Sequence, residues 1–404
     1  MVKVLFLVSN FPPEISTGRL ECELSKSFVR RSKLVTVVTA FPRRYLLNHP
    51  VSHGGKFLYR QEIDGISVVR MGPEFSSRDN ILMRGFEYFF EFFSFFVGGL
   101  VSGKADVVIC SSPPLTLALA GYFLGKVKHA HVIVRVGDLH PQELVDLGLI
   151  KSKLLMRLLE MIEKFIYKKV DFFTVLSEGY RQHLLKKGAS LDRVCVVPNW
   201  GNLESSHDFQ RSSQKFIATY AGIMSWFQDL ETIVDAAFKL KEYKDIHFLL
   251  VGDGPQKRYL KEKSRQLQLD NVSYLPLRPR KEYLQILQTS DVCFVSLKKE
   301  IKTTTIPSKL LDIMACGRPV IANVPSGEVS EIIFRGKCGI WVEPQNPERL
   351  AEAILKLYKN RAELVCMGQN GREYLEKHFT LDACAEKYEK IIQQLMMKHN
   401  QLKA

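Results

Sequence analysis

Two successive doubly wound α/β domains, each a parallel sheet with helices on both faces, are the architecture this sequence predicts. Three observations predict it. Short, near-continuous apolar runs recur along the 404 residues, as strands buried on both faces do. Helical patterns fill most intervals between those runs, and such alternation makes a parallel sheet. The alternation stops in a polar stretch at 204–214 and then restarts, dividing a chain too long for one core.

The first apolar run is 2–8. Asn10-Phe11-Pro12-Pro13 breaks it, a loop passes through Gly18, and a helix is expected over about 19–31. A second strand at 34–40 completes a strand–loop–helix–strand unit. Further strand runs fall at 66–70, 107–110, 132–135, 172–176 and 194–197. Beyond the polar hinge the runs are 216–220, 247–251, 272–275, 292–296 and 320–323, with a short last one at 339–342. The tail, 364–402, is almost wholly helical. The predicted division is 1–203 for the first domain, 204–385 for the second, and 386–404 for a terminal helix that packs back towards the first. Two halves of this kind place a site in the cleft between them, at the carboxyl ends of their strands.

The net charge is +14, with 46% apolar and 25% charged residues. That balance is globular, and the positive excess points to an anionic partner such as a phosphorylated substrate or an acidic membrane surface. No Lys/Arg run carries aromatic residues at a nucleic-acid spacing, so no nucleic-acid partner is expected. The eight cysteines are scattered without a C-x-x-C pair, which fits reduced thiols in the cytoplasm and indicates neither a disulfide framework nor a metal site. The N-terminal run is too short for a signal peptide and lacks a cleavage signature.

Residues 81–101 stand apart: I-L-M-R-G-F-E-Y-F-F-E-F-F-S-F-F-V-G-G-L-V. Arg84, Glu87, Glu91, Ser94 and Gly98 recur at three- and four-residue spacing, a polar stripe on a wide aromatic face. An interfacial helix on an anionic membrane, with Phe89, Phe92 and Phe96 among its contacts, fits this pattern. So does a helix buried against the sheet; a true span is the third alternative, against which the three charges count.

The stretch 304–323, T-T-I-P-S-K-L-L-D-I-M-A-C-G-R-P-V-I-A-N, reads as loop, helix and strand. Pro307-Ser308 is a start signal with Ser308 expected as N-cap. Leu310, Leu311 and Met314 face inward, and Gly317-Pro319 stops the helix. The N-terminus of such a helix suits a phosphate or sugar hydroxyls. Lys309 adds a mobile positive charge and Asp312 an acceptor for a diol. Other small-residue loops close strands on either side: Tyr220-Ala221-Gly222, Gly252-Asp253-Gly254-Pro255, and Pro325-Ser326-Gly327-Glu328.

In this order, Y-A-G, Q-D-L-E, V-G-D-G-P, I-P-S-K-L-L-D-I-M-A-C-G-R-P-V-I-A and S-G-E resemble the donor half of the retaining GT-B glycosyltransferases of family 4. The first half agrees, with F-P-P-E at 11–14, S-S-P-P at 111–114, D-L-H-P at 138–141, L-G-L at 147–149, T-V-L-S-E-G at 174–179 and V-V-P-N at 196–199. The set looks most like the subgroup of colanic acid and O-antigen transferases, some of which move N-acetylated amino sugars.

The resemblance implies transfer of a sugar from a nucleotide-diphosphate sugar, UDP-linked, with retention and with no metal or other cofactor. The nucleotide would lie on the second domain and the acceptor on the first; the Phe-rich segment and the net charge point to a lipid-linked acceptor, with a glycan as the other choice, and to the inner face of the cell membrane. Donor-site residues would be Gly222, Gly252, Gly254, Thr304, Thr305, Pro307, Ser308, Lys309, Leu310, Asp312, Gly327 and Glu328. Asp138, His140 and Lys309 would be catalytic, and Gly18 and Asn199 would line the acceptor or phosphate loop. The pattern also departs from the family. Thr304 stands where a first carboxylate is common, Ile223 and Gln228 where an Arg and a Lys are common, and Gly137 where a His is common, with His140 nearby. A module that binds a nucleotide sugar or glycan without turning it over is the alternative these departures leave.

Overall fold

The computed structural model describes residues 1–14, 18–42, 56–72, 81–139, 152–203, 215–301 and 306–403. The apolar N-terminal run forms β1 (Lys3–Val8), which pairs in parallel with β2 (Leu34–Thr39) from Lys3 opposite Leu34, and with β5 (Val107–Ser112) from Val4 opposite Val107. With β3 (Leu58–Ile63), β4 (Ile66–Met71), β6 (His131–Val136), β7 (Phe172–Val175) and β8 (Val194–Val196), these strands make one sheet of order β3-β4-β2-β1-β5-β6-β7-β8. All its pairings are parallel except β3 with β4. The edge strand β3 is absent from the sequence reading. Its residues alternate between exposed and half-buried rather than forming an apolar run. The cue was Asp64-Gly65, both at positive φ, 51° and 77°, as a tight hairpin turn demands.

Helices α1 (Arg19–Arg30), α2 (Ile81–Val101), α3 (Leu115–Lys128), α4 (Lys153–Lys169) and α5 (Glu178–Lys186) join these strands. A single apolar cluster, including Leu7, Val38, Phe95, Leu124 and Phe173, fills the space between the sheet and α2, α3 and α4. On α2 the polar stripe, so far as its side chains are described, turns inward: Glu91 and Ser94 are buried, and Ser9 Oγ donates to Glu91 Oε2 at 3.5 Å. Gly98 faces the same way, because a Cβ there would lie 2.7 Å from both Met71 and Val38. Phe92 and Phe96 pack partly against the core, whereas Phe89 is exposed. Among the described residues no helix is long and apolar enough to cross a membrane.

Glu163 of α4 is fully buried, yet it is well partnered. It accepts from Tyr167 Oη at 2.9 Å and Lys187 Nζ at 2.6 Å, with His183 Nε2 3.6 Å away. Burial alone would raise its carboxyl pKa; the nearby His183 ring and the hydrogen bonds from Lys187 and Tyr167 outweigh that and hold it below the ordinary 4.5. Because the folded value is depressed, this stabilisation is present above the unfolded value and is lost as pH falls through the folded one. Glu163→Gln is expected to lower stability by about 2 kcal/mol at neutral pH, the scale of charge-assisted hydrogen bonds. Urea unfolding should show the gap closing below pH 4.5.

The second sheet has the order β11-β10-β9-β12-β13-β14, parallel throughout. Its strands are β9 (Phe216–Ala221), β10 (Ile246–Val251), β11 (Val272–Leu275), β12 (Val292–Ser296), β13 (Val320–Asn323) and β14 (Gly339–Val342). The helices between and after them are α6 (Leu230–Lys239), α7 (Lys257–Gln266), α8 (Arg280–Thr289), α9 (Ser308–Ala315), α10 (Glu328–Gly336), α11 (Pro347–Lys359) and α12 (Arg361–His378). Two apolar clusters cover the sheet, one with α6 and α11, the other with α9, α10 and α12.

Contacts divide the chain into Met1–Pro198 with Leu381–Ala404, and Asn199–Thr380. The passages between units therefore fall a few residues before 204 and 386, where composition placed them: a polar stretch marks a loop, not the point where packing changes sides. The last helix, α13 (Leu381–Lys403), belongs to the first unit. Arg31 bonds Asp382 and Glu389, each at 3.0 Å, and Tyr388 meets Thr174 Oγ1 at 2.9 Å and the Phe28 ring edge-on. All eight cysteines are free.

Candidate functional site

Doubly wound sheets bind ligands outside the carboxyl ends of their strands, where the winding reverses. In the second sheet that point lies between β9 and β12. Gly222, next after β9, has φ 146°, and β10 runs out into Gly252-Asp253-Gly254. The two turns touch. A Cβ on Gly252 would lie 1.9 Å from the Gly222 carbonyl oxygen, and Gly222 N–H donates to Val251 O at 2.9 Å. Only a residue without a side chain permits this approach.

Lys309 reaches the same point from α9. Its Nζ donates to Tyr220 Oη at 2.7 Å, lies 4.4 Å from the Tyr220 ring centroid, and stands 3.3 Å from where a Gly222 Cβ would be. Tyr220 donates its own proton to the Ile223 carbonyl at 2.6 Å, which leaves its oxygen free to accept from Lys309. Burial lowers the Lys309 amine from 10.5 to about 7 and raises the Tyr220 phenol. At neutral pH the amine is thus poised between charged and neutral forms, and a neighbouring anion would favour the charged one.

Local sequence explains why α9 presents Lys309 here. Leu310, Leu311, Ile313 and Met314 are buried on several sides, so the short helix is fixed by packing and its first turn has little freedom. Pro307 is the N-cap residue, with φ −64° and ψ 136°, and Ser308 is the first helical residue with no capping hydrogen bond. The expected Ser308 cap is therefore corrected: the proline already supplies the extended geometry that precedes a helix. Leu310 N–H already donates to Pro307 O at 3.0 Å, which leaves the amides of Ser308 and Lys309, at the positive end of the helix dipole, without an intrahelical acceptor.

Asp312 is a second correction. Its carboxylate accepts both Arg280 Nη atoms, at 2.7 and 2.8 Å, and Tyr283 Oη at 3.3 Å. It is buried and binds α9 to α8 rather than offering itself to a diol. Gln228, in the position where the resemblance leads one to look for a basic clamp, is also engaged internally: Oε1 accepts from Ser225 N–H at 3.0 Å and from Ser225 Oγ. Gly327 caps α10 through Ser330, and Glu328 is half-buried in that helix's first turn.

Beside Gly254, whose Cβ would lie 2.6 Å from Met224 O, a groove is lined by Asp253, Lys257, Arg258, Lys261, Glu262 and Arg265, the last two paired at 2.7 Å. Lys257 Nζ donates to Gly252 O at 2.7 Å. The sequence reading missed this basic face and named Tyr220 only as the start of the Y-A-G turn, not as a partner of Lys309. The face had a signal, cations at 257, 261 and 265 directly after G-D-G-P.

In the first unit, Gly18 caps α1 at φ 77°, and a Cβ on it would lie 2.4 Å from Asn10 O. Asp138 is exposed in the turn after β6. Under that turn Arg135 Nη1 bonds Glu21 Oε1 at 2.8 Å, tying the end of β6 to the first turn of α1, a link no local pattern announced. Asn199 is buried at the start of the second unit. His140, Thr304 and Thr305 lie outside the described residues.

Two tandem units of this kind define the GT-B architecture. Sucrose-phosphate synthase from Thermosynechococcus elongatus shares the fold with a TM-score of 0.78 at 18% identity, covering 98% of this chain and 100% of that one. HepE of Anabaena, solved in complex with UDP-glucose, gives 0.69 at 15% identity, with 98% and 100% covered. At these identities the likeness is one of fold. The sequence goes further. Residues 22–200 match the family described as glycosyl transferase 4-like domain, and residues 203–374 the family described as glycosyl transferases group 1. WcaI of Escherichia coli (strain K12), a glycosyl transferase assigned to colanic acid biosynthesis, is 25% identical over 94% of this chain and 97% of its own length. The chain belongs to the GT-B glycosyltransferases of family 4.

Proposed function

We propose that this chain is a retaining glycosyltransferase that moves a hexosyl or N-acetylhexosaminyl group from a UDP-linked sugar to a lipid-linked or glycan acceptor in cell-surface polysaccharide synthesis. It needs no metal or other cofactor in this reading, and it works at the cytoplasmic face of the membrane, touching the lipid through residues 81–101. One observation carries the donor assignment: the Lys309 ammonium is held at Gly222, where the second sheet reverses its winding, beside the amides that open α9. A leaving diphosphate needs such donors for its developing charge.

Gly222, Gly252 and Gly254 let the diphosphate approach the backbone. Ser308 and Lys309 contribute α9 amides, Pro307 sets the helix start with Leu310 N–H bonded to its carbonyl, and Asp312 holds the helix through Arg280. Gly327 and Glu328 open α10 for sugar hydroxyls, and Thr304 and Thr305 lead into the donor loop. Asp138 and His140 serve the acceptor side, with Gly18 and Asn199 shaping their loops. The UDP-glucose bound by HepE and the colanic acid assignment of WcaI support the donor and pathway class.

A panel of nucleotide sugars tests this reading. A UDP-sugar is expected to raise the melting temperature, since binding to the folded state alone stabilises it, and to be consumed with a lipid-linked acceptor equally well with or without EDTA. No stabilisation by any nucleotide sugar would remove the donor site. The internal engagement of Gln228 favours a second reading, a module that binds without transfer, and stabilisation without consumption would select it.

A further inference from the structure

Helix α2 is built inside out for a helix in water. Its polar residues Glu91 and Ser94 face the sheet, while Phe89, Phe90, Phe93, Val97 and Leu100 face outward and are exposed. A water-facing helix shows the reverse arrangement. The exposed apolar surface does not end with α2. Phe93 lies 5.0 Å from Phe89 and 5.1 Å from Phe92; Phe92 lies 6.2 Å from Phe123 of α3, and Tyr122 joins Phe123 at 5.4 Å to Phe165 of α4 at 5.2 Å. From Phe165 an apolar stripe continues along α4 through Met161, Leu158 and Leu154 at helical spacing, with Met161 67% and Leu158 52% exposed. One continuous ladder of rings and aliphatic chains thus crosses three helices, far beyond a scatter of single exposed residues.

Among the described residues the charges around it are mainly positive. Lys153, Arg157, Lys164, Lys168 and Lys169 are exposed on α4, and Lys126 of α3 lies over the Tyr122 ring at 5.7 Å. The acids of α4 do not balance them: Glu160 is half-buried, and Glu163 is buried against Lys187. An apolar face fringed by cations matches an anionic bilayer surface, where rings and alkyl chains enter the headgroup boundary and ammonium groups meet phosphates.

We propose that α2, α3 and α4 together form a monotopic docking face for anionic membrane, with α4 contributing as much as α2. This deepens the membrane contact proposed for residues 81–101 and rests on it for the kind of partner; the extent of the face rests on α3 and α4. The full chain is to be sedimented with phosphatidylglycerol-containing vesicles and with pure phosphatidylcholine vesicles. Two double variants are compared: Phe93→Ser with Val97→Ser on α2, and Leu158→Ser with Met161→Ser on α4. The latter pair is so exposed that the fold does not depend on it.

The expected result is binding to the anionic vesicles that falls by on the order of tenfold or more in each variant. Unfolding curves matching the parent's and unaltered stabilisation by a nucleotide sugar would accompany it. Release by the α2 pair alone would overturn the three-helix face while leaving the membrane reading of α2 intact. Binding untouched by either pair, or no vesicle binding by the parent, would overturn both. A dimer in sedimentation velocity that either pair dissolves, without vesicle binding, would reassign the face to a second copy of the chain and overturn the proposal.

Discussion

Lys309→Met is expected to lower sugar transfer by on the order of a hundredfold, the usual effect of losing one preorganised donor to a developing negative charge. Stability should not fall with it. The amine sits against the Tyr220 ring with its pKa lowered to about 7 by burial, so its protonated form is a cost to the fold, and a methionine of similar length removes that cost. The sign can be checked. Between about 7 and 10.5 the unfolded chain holds a proton that the folded chain has released. Parent stability should therefore rise with pH across this window, and the rise should be smaller in Lys309→Met.

The same poise predicts a proton taken up with the ligand. A diphosphate beside Nζ favours the ammonium, so UDP binding above pH 7 should draw a proton from solution. Calorimetric heats measured in buffers of different ionisation enthalpy would then differ for the parent and converge for Lys309→Met. Parent heats independent of the buffer, or full turnover by the variant, would take Lys309 out of the chemistry.

How far the sequence could be read follows from what each residue faces. Strands such as β1 and β12 are apolar at nearly every position because both faces are covered, so their existence and alternation were plain. The edge strand β3 has one covered face and polar residues on the other, and only its turn announced it. Lys309 was legible because a cation at a helix start, next to a glycine loop, has few other uses. Asp312 was not, because its partner Arg280 lies 32 residues away, and an acid on a helix looks alike whether it meets a sugar or a guanidinium. On α2 the periodicity showed two faces without saying which one touched the sheet. The side was decided by size: Gly98 allows close contact with Met71 and Val38 where a phenylalanine would not fit.

Close approach also sets the largest stability effect expected here. Gly252→Ala places a methyl group 1.9 Å from the Gly222 carbonyl oxygen, a backbone atom with no rotamer to yield. The oxygen cannot simply swing away, because Gly222 N–H is bonded to Val251 O and Gly252 N–H to Leu275 O. The two loops must part, and the φ of 151° adds strain for any residue with a Cβ. A loss of about 4 kcal/mol is expected, at the upper end for one substitution. Gly103→Ala is the control. Its φ is also positive, 86°, but nothing lies within 4 Å of its would-be Cβ, so it should cost only about 1 kcal/mol. Denaturant unfolding of the pair separates crowding from backbone strain. Since parting the loops moves Gly222 away from Lys309, Gly252→Ala should also lose stabilisation by a UDP-sugar at temperatures where it is still folded, whereas Gly103→Ala should keep it. Equal losses of stability in the two variants would mean that the contact between the two glycine turns is not what holds this site together.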